Sequence, residues 1–130
     1  MGRPYYHTVT ASPIAIDVSA IDGGVVLSVA GEVDLLTADR LSAALEAEVD
    51  RHALVVVDLT AVGFLSSSGL AALALAHRAA VAAGHVLRLV AGNRVTLRPL
   101  QITGLAEEIA VYATVPEAVA GSADYPVERG

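Results

Sequence analysis

The chain has 130 residues, a formal net charge of −6, no cysteine and no lysine, with 55% hydrophobic and 17% charged residues. This composition indicates one domain with a real core and excludes disulfides, thiolate metal sites and disorder of the whole chain. The acidic balance argues against nucleic acid or an anionic membrane surface as a partner, and no segment is typical of a signal peptide or membrane span, so a cytoplasmic protein is expected.

The first half of the domain is predicted to start with a hairpin. Residues 1–12 lack periodicity and are expected to form a flexible arm before a domain at 13–120. Two β-rich runs, Ile14–Val18 and Val25–Gly31, flank the turn signal at Asp22–Gly24. They are expected to form an antiparallel edge of the sheet.

A helix is predicted at about Thr37–Arg51. The Thr37 hydroxyl is expected to cap a free N–H of its first turn, and Asp39 lies near the positive end of the helix dipole. The buried face repeats every four residues and comprises Leu41, Leu45 and Val49. The valine-rich run Ala53–Leu59 then predicts a short central strand that is buried on both faces.

The second half continues this alternation. A helix is predicted at Ser68–Ala83 with Gly84 as its C-cap, followed by a strand at His85–Ala91. The segment from Thr96 to Gly104 predicts a short helix, and its Pro99 is expected in the first turn.

A last strand is predicted at Ile109–Thr114. A final helix begins at Thr114, which is spaced as a capping box with Glu117, and 121–130 is expected to be a flexible tail. The order predicts an α/β domain with a mixed, mainly parallel sheet of four to five strands and about four helices.

Three serines and a glycine, Ser66 to Gly69, separate the central strand from the apolar helix. A structural role is sufficient for one serine, as a helix N-cap. A hydrolase nucleophile elbow needs glycine two residues before Ser67, where Leu65 stands, and a phosphate-cradling loop needs a lysine; we therefore expect no enzyme. A phosphoserine at a helix start would be tolerated by the fold but would repel a docked partner.

The helix after the serines is apolar nearly all round. Packing on the sheet is predicted for the face formed by Leu70, Leu73, His77 and Val81. The opposite face is either a partner surface or the result of alanine being a good helix former. It comprises Ala71, Ala74, Leu75 and Arg78.

At this point the sequence resembles a known family. "VVVDLTAVGFLSSSGLAAL" is similar to the signature of STAS domains, in particular bacterial anti-sigma factor antagonists, with matches at Phe64, Ser67, Ser68, Gly69 and Leu70. Three further segments are similar to family motifs in the same order, and the resemblance covers about residues 14–120. These segments are Gly31–Leu41, Val95–Leu105 and Val111–Ala120.

The resemblance implies a non-enzymatic partner switch without a cofactor or metal. The unphosphorylated domain would bind an anti-sigma factor, itself a serine kinase, and free its sigma factor. The kinase would phosphorylate Ser67, and a phosphatase would reset it. Asp34 corresponds to a family residue close to the phosphosite and the partner surface.

Ser66 stands where the family usually has aspartate. This departure leaves open whether the kinase recognises Ser67, whether Ser66 is a second acceptor, and whether the protein is instead an unphosphorylated STAS scaffold or sensor that binds constitutively. The protein is expected to be a monomer or weak dimer. The residues expected to bind the partner are Asp34, Ser66, Ser67, Ser68, Gly69, Ala71, Ala74, Leu75 and Arg78.

Overall fold

The computed structural model describes residues 14–121. The arm predicted at 1–12 and the tail predicted at 121–130 lie outside the described residues, except for Gly121. The elements in chain order are β1 Ile14–Ile21, β2 Gly24–Val33, α1 Ala38–Arg51, β3 Leu54–Leu65, α2 Ser67–Ala82, β4 Val86–Val90, α3 Arg94–Ile102, α4 Leu105–Glu108, β5 Val111–Tyr112 and α5 Val115–Ala120.

The five strands form one sheet in sequential order, β1-β2-β3-β4-β5. β1 pairs with β2 antiparallel, and the remaining neighbours pair in parallel. This arrangement confirms the α/β class, the hairpin and the mixed, mainly parallel sheet with an antiparallel edge. The helix between each pair of parallel strands follows from the need for a crossover connection, and α4 adds a single short turn before β5.

The sheet is covered on both faces because alternate strand residues point to opposite sides. In β3, Val55 and Val57 belong to a large core cluster that also holds buried residues of α1 to α4. Val56 belongs to a smaller cluster on the other side, with Ala118 of α5. The expectation that β3 is buried on both faces is confirmed.

The predicted end of β3 at Leu59 is wrong, because the strand continues to Leu65. β2 also runs on, to Val33, and keeps β3 paired through two register shifts. Gly63 weakens the strand pattern in the sequence, but pairing with β2 supplies backbone hydrogen bonds that the local sequence does not predict.

Helix α2 ends as expected, but its packing face differs from the prediction. Gly84 has φ +77° just after the C-cap, and the N–H groups of Gly84 and His85 bond to the last turn. Leu73 is buried, whereas Val81 is 61% exposed, so its predicted packing is wrong. Apart from Leu73, the buried stripe consists of small residues, which bring the helix close to its neighbours: Gly69, Ala72, Ala76 and Ala80.

Helix α3 begins two residues earlier than predicted. Asn93 is its N-cap and accepts the N–H of Thr96 at 3.2 Å, so Arg94 is the first helical residue. Pro99 is therefore in the second turn, and its predicted place in the first turn is wrong. At the last helix, Thr114 accepts the N–H of Glu117 at 3.3 Å, which is the first half of the predicted capping box.

Candidate functional site

The serine cluster lies at the carboxyl ends of β2 and β3. Val33 and Leu65 are the last register pair of these strands. The Ser66 N–H donates to the Val33 carbonyl at 2.8 Å. This bond places the start of α2 beside the loop that follows Val33, and so brings Asp34 and the serines to one edge of the sheet.

Ser66 is the N-cap of α2. Its hydroxyl accepts the Gly69 N–H at 3.3 Å, and its carbonyl accepts the Leu70 N–H at 3.0 Å. The prediction that Ser68 starts the helix is wrong, since Ser68 is already the second helical residue and is half-buried. The cap moved because β3 extends to Leu65, which leaves Ser66 as the single residue between strand and helix.

Gly69 is required by packing. A Cβ atom there would lie 2.6 Å from Val33 Cγ1 and 2.8 Å from Leu65 Cδ1, closer than carbon atoms approach. The first turn of α2 therefore rests directly on the ends of β2 and β3. Because Gly69 is buried, it can shape a partner surface only by setting the position of its neighbours.

Ser67 is the exposed member of the cluster and the first residue of α2. Within residues 14–121 its hydroxyl makes no hydrogen bond, in contrast to that of Ser66. The free N–H groups of a first helical turn and the helix dipole favour a negative group at such a position. Ser67 is thus chemically the most available of the three hydroxyls.

Asp34 holds the loop before α1. Its Oδ1 accepts the N–H of Leu36 at 2.9 Å and that of Thr37 at 3.1 Å. The Asp34 N–H in turn donates to the Thr37 hydroxyl at 2.9 Å, and that hydroxyl lies 2.8 Å from the Glu32 carbonyl, to which it donates. The loop is therefore fixed by side chain to backbone bonds at both of its ends.

Thr37 occupies the N-cap position of α1 as predicted, but its predicted capping bond is wrong. Its side chain makes no bond to the first turn of the helix. The hydroxyl is buried, with the residue 3% exposed. It donates to the carbonyl of Glu32, five residues earlier in the chain, and so fastens the loop to the end of β2. A buried hydroxyl needs a partner, and the Glu32 carbonyl and Asp34 N–H are within reach.

Two leucines in this loop were missed from the sequence. Leu35 is 77% exposed and Leu36 is 85% exposed. A signal was present, because both fall outside the four-residue repeat that begins at Leu41 and so have no buried face to join. Phe64, at 49% exposed, adds a third large apolar side chain near the ends of these strands.

The outer face of α2 contains most of the residues that the sequence predicted there. Ala71 and Arg78 are exposed and Leu75 is 59% exposed, while Ala74 is half-buried against the core. The structure thus brings the serines, Asp34 and an apolar helix face to neighbouring parts of the surface.

Two other kinds of site are absent from the part of the chain that the structure describes. Among residues 14–121, no group of three histidine, cysteine or acidic side chains is arranged to hold a metal ion. No helix in that range has both the length and the hydrophobicity needed to cross a bilayer.

Residues 15–118 match the STAS domain family. The anti-sigma-F factor antagonist RsfB of Mycobacterium tuberculosis is 35% identical over 122 residues, which is 92% of this chain and 99% of that protein. The crystal structure of an anti-sigma factor antagonist from Mycobacterium paratuberculosis superposes with a TM-score of 0.78 at 37% identity, covering 85% of this chain and 95% of that one. The anti-sigma factor antagonist SpoIIAA in its unphosphorylated form has a TM-score of 0.68 at 20% identity, covering 85% of this chain and 100% of that one, which shows the shared fold.

Proposed function

The chain belongs to the STAS domain family, and we propose that it is an anti-sigma factor antagonist controlled by phosphorylation of Ser67. In this proposal the unphosphorylated protein binds an anti-sigma factor of the serine kinase type in the cytoplasm and thereby frees a sigma factor. Support for the antagonist role comes from the two mycobacterial relatives. Both are described as anti-sigma factor antagonists, and both match this chain over nearly their full lengths.

The observation that best supports control by phosphorylation is the position of Ser67. It is exposed at the first residue of α2, and its hydroxyl is unused within residues 14–121. A kinase would transfer the γ-phosphoryl group of ATP to Ser67 Oγ, with loss of the hydroxyl proton and release of ADP. A phosphatase would add water across the new bond and return the serine and inorganic phosphate.

The phosphate would act on binding and not on folding. It adds roughly −1.5 to −2 charges at neutral pH, at a helix end whose dipole favours negative charge. A partner packed over Ser67 would have to bury this strongly hydrated dianion, which is unfavourable without a dedicated cationic site. The fold therefore persists while the complex dissociates.

The experiment uses purified serine kinase anti-sigma factors from the source organism, ATP and mass spectrometry of the product. We expect one phosphate on Ser67 in the wild type and in Ser66→Ala, none in Ser67→Ala, and weakened binding by Ser67→Glu. An unmodified Ser67 combined with full binding by Ser67→Glu would exclude the switch.

A second function is favoured by one feature of the same helix. The first turn of α2 contains no acidic residue, and its cap is the neutral Ser66. A STAS scaffold or sensor that binds its partner constitutively would need no phosphate there. It predicts that Ser67→Ala leaves partner binding and cellular effect unchanged under all growth conditions, whereas the switch predicts permanent activity of that variant.

A further inference from the structure

Leu35 and Leu36 are the most exposed large apolar side chains in the described part of the chain, at 77% and 85%. They are adjacent in the loop between β2 and α1, directly after Asp34. Burying a leucine from water is favourable by a factor of roughly ten to a hundred in an equilibrium constant. A partner that buried both of these leucines would therefore gain favourable free energy of binding.

The exposure of these two leucines does not result from a loosely held loop, because hydrogen bonds fix the loop backbone. Asp34 Oδ1 accepts the N–H groups of Leu36 and Thr37, and the buried Thr37 hydroxyl fastens the loop to the Glu32 carbonyl. The backbone that carries the leucines is thus held from both sides. A preorganised apolar pair loses little conformational entropy on binding, which is the usual property of an interface anchor.

The same contacts connect the pair to the proposed switch. Asp34 follows Val33, and the Val33 carbonyl accepts the N–H of Ser66, the residue before Ser67. Two side chains cannot form a stable interface by themselves, because specific interfaces bury about 800 Å² on each partner. They must belong to a larger contact, and the bond between Val33 and Ser66 favours one that extends toward Ser67.

The charged groups near the loop indicate the chemistry of the partner. Glu32 and Asp39 are exposed and Asp34 is half-buried. Within residues 32–40 the cation is Arg40, whose guanidinium donates to the Ile14 carbonyl at 3.4 Å. The border of the leucine pair is thus predominantly acidic, which favours a partner with arginine or lysine around an apolar pocket.

We propose that Leu35 and Leu36 are the apolar anchor by which this protein docks into a basic-rimmed hydrophobic pocket of its anti-sigma factor. This inference rests on the proposed function and adds the residues that determine affinity. The pair supplies buried apolar area, and Glu32 and Asp39 supply complementary charge at its edge.

The test measures binding of the purified source-organism anti-sigma factors to the full chain by calorimetry and surface plasmon resonance. Leu35→Ser and Leu36→Ser should each weaken binding roughly tenfold or more, and the double variant further. Leu36→Met should retain binding, because it keeps the apolar volume. Val81→Ser is the matched control, since Val81 is 61% exposed but lies at the other end of α2, and it should bind as the wild type does.

The charged border has its own readout. Glu32→Gln with Asp39→Asn should slow association and reduce its dependence on salt, with a smaller effect on dissociation. Unchanged melting temperatures show that each variant is folded.

Each outcome decides between the two proposals. A wild type that binds no anti-sigma factor removes the proposed function and this inference with it. A wild type that binds while the double leucine variant binds equally well removes the inference alone. Sedimentation that shows a dimer in the wild type and a monomer in the double variant, with anti-sigma binding intact, overturns it in favour of a second copy as the occupant.

Discussion

The Ser66 hydroxyl accepts the Gly69 N–H at 3.3 Å, so the first serine of the cluster starts helix α2. Replacing it with alanine removes this cap, and we expect Ser66→Ala to lower the free energy of unfolding by about 1 kcal/mol. Ser66→Asp should retain wild-type stability or exceed it slightly, since aspartate also caps and its charge suits the helix dipole. Urea denaturation measures both, and equal destabilisation by alanine and aspartate would contradict the capping role.

Gly69 is expected to tolerate no side chain. A Cβ atom would meet Val33 Cγ1 at 2.6 Å and Leu65 Cδ1 at 2.8 Å. We expect Gly69→Ala to be destabilising by about 1–3 kcal/mol, despite alanine's better helix propensity. Gly63→Ala is the control, because within residues 14–121 no atom beyond Gly63 and its chain neighbours lies within 4 Å of the added carbon, and it should be neutral or slightly stabilising.

Asp34 should control the order of its loop more than the stability of the whole domain. Asp34→Ala leaves the Leu36 N–H without its acceptor and leaves the Thr37 N–H only the Asp34 backbone carbonyl, at 3.2 Å, and we expect a loss of about 1–2 kcal/mol. Hydrogen exchange at these two amides should become faster, because the backbone can open to solvent. Asp39→Asn, at an exposed position in the first turn of α1, should leave both amides protected.

Ser67 should be nearly neutral for folding. Since its side chain is exposed and makes no hydrogen bond within residues 14–121, we expect Ser67→Ala to change stability by less than about 0.5 kcal/mol. Ser67→Glu should be neutral or stabilising by up to about 1 kcal/mol through the helix dipole, with the gain reduced at high salt. Thermal denaturation at two salt concentrations measures this, and a large loss for either variant would mean that Ser67 is structural.

The sequence was sufficient for the order of elements, apart from the short helix α4, but not for their ends. Valine-rich runs and the leucine repeat of α1 are local patterns, and each one predicted an element that the structure contains. The end of β3 depends on pairing with β2, so the local pattern predicts Leu59 as the last residue, whereas the strand ends at Leu65. The same error places the predicted first helical residue at Ser68, whereas Ser66 is the cap and Ser67 is the first residue of α2.

Features of the site that depend on residue type could be predicted from the sequence. Features that depend on contacts between distant parts of the chain were harder to predict. Ser67 and Leu75 were identified as surface residues, and both are exposed. Thr37 has the residue type of a cap, but the nearby Glu32 carbonyl determines its bond. Size and spacing predict Val81 in the core, whereas Leu73 and small residues form the face that packs.

The contact of Gly69 with Val33 and Leu65 divides the start of α2 into two kinds of position. Gly69 is fixed by the sheet, whereas Ser67 and Ala71, two residues before and after it, are exposed to solvent. After gene duplication, copies of this domain could therefore change their exposed residues one at a time and acquire different partners without losing stability on the way. The glycine would be inherited unchanged while recognition diverged around it.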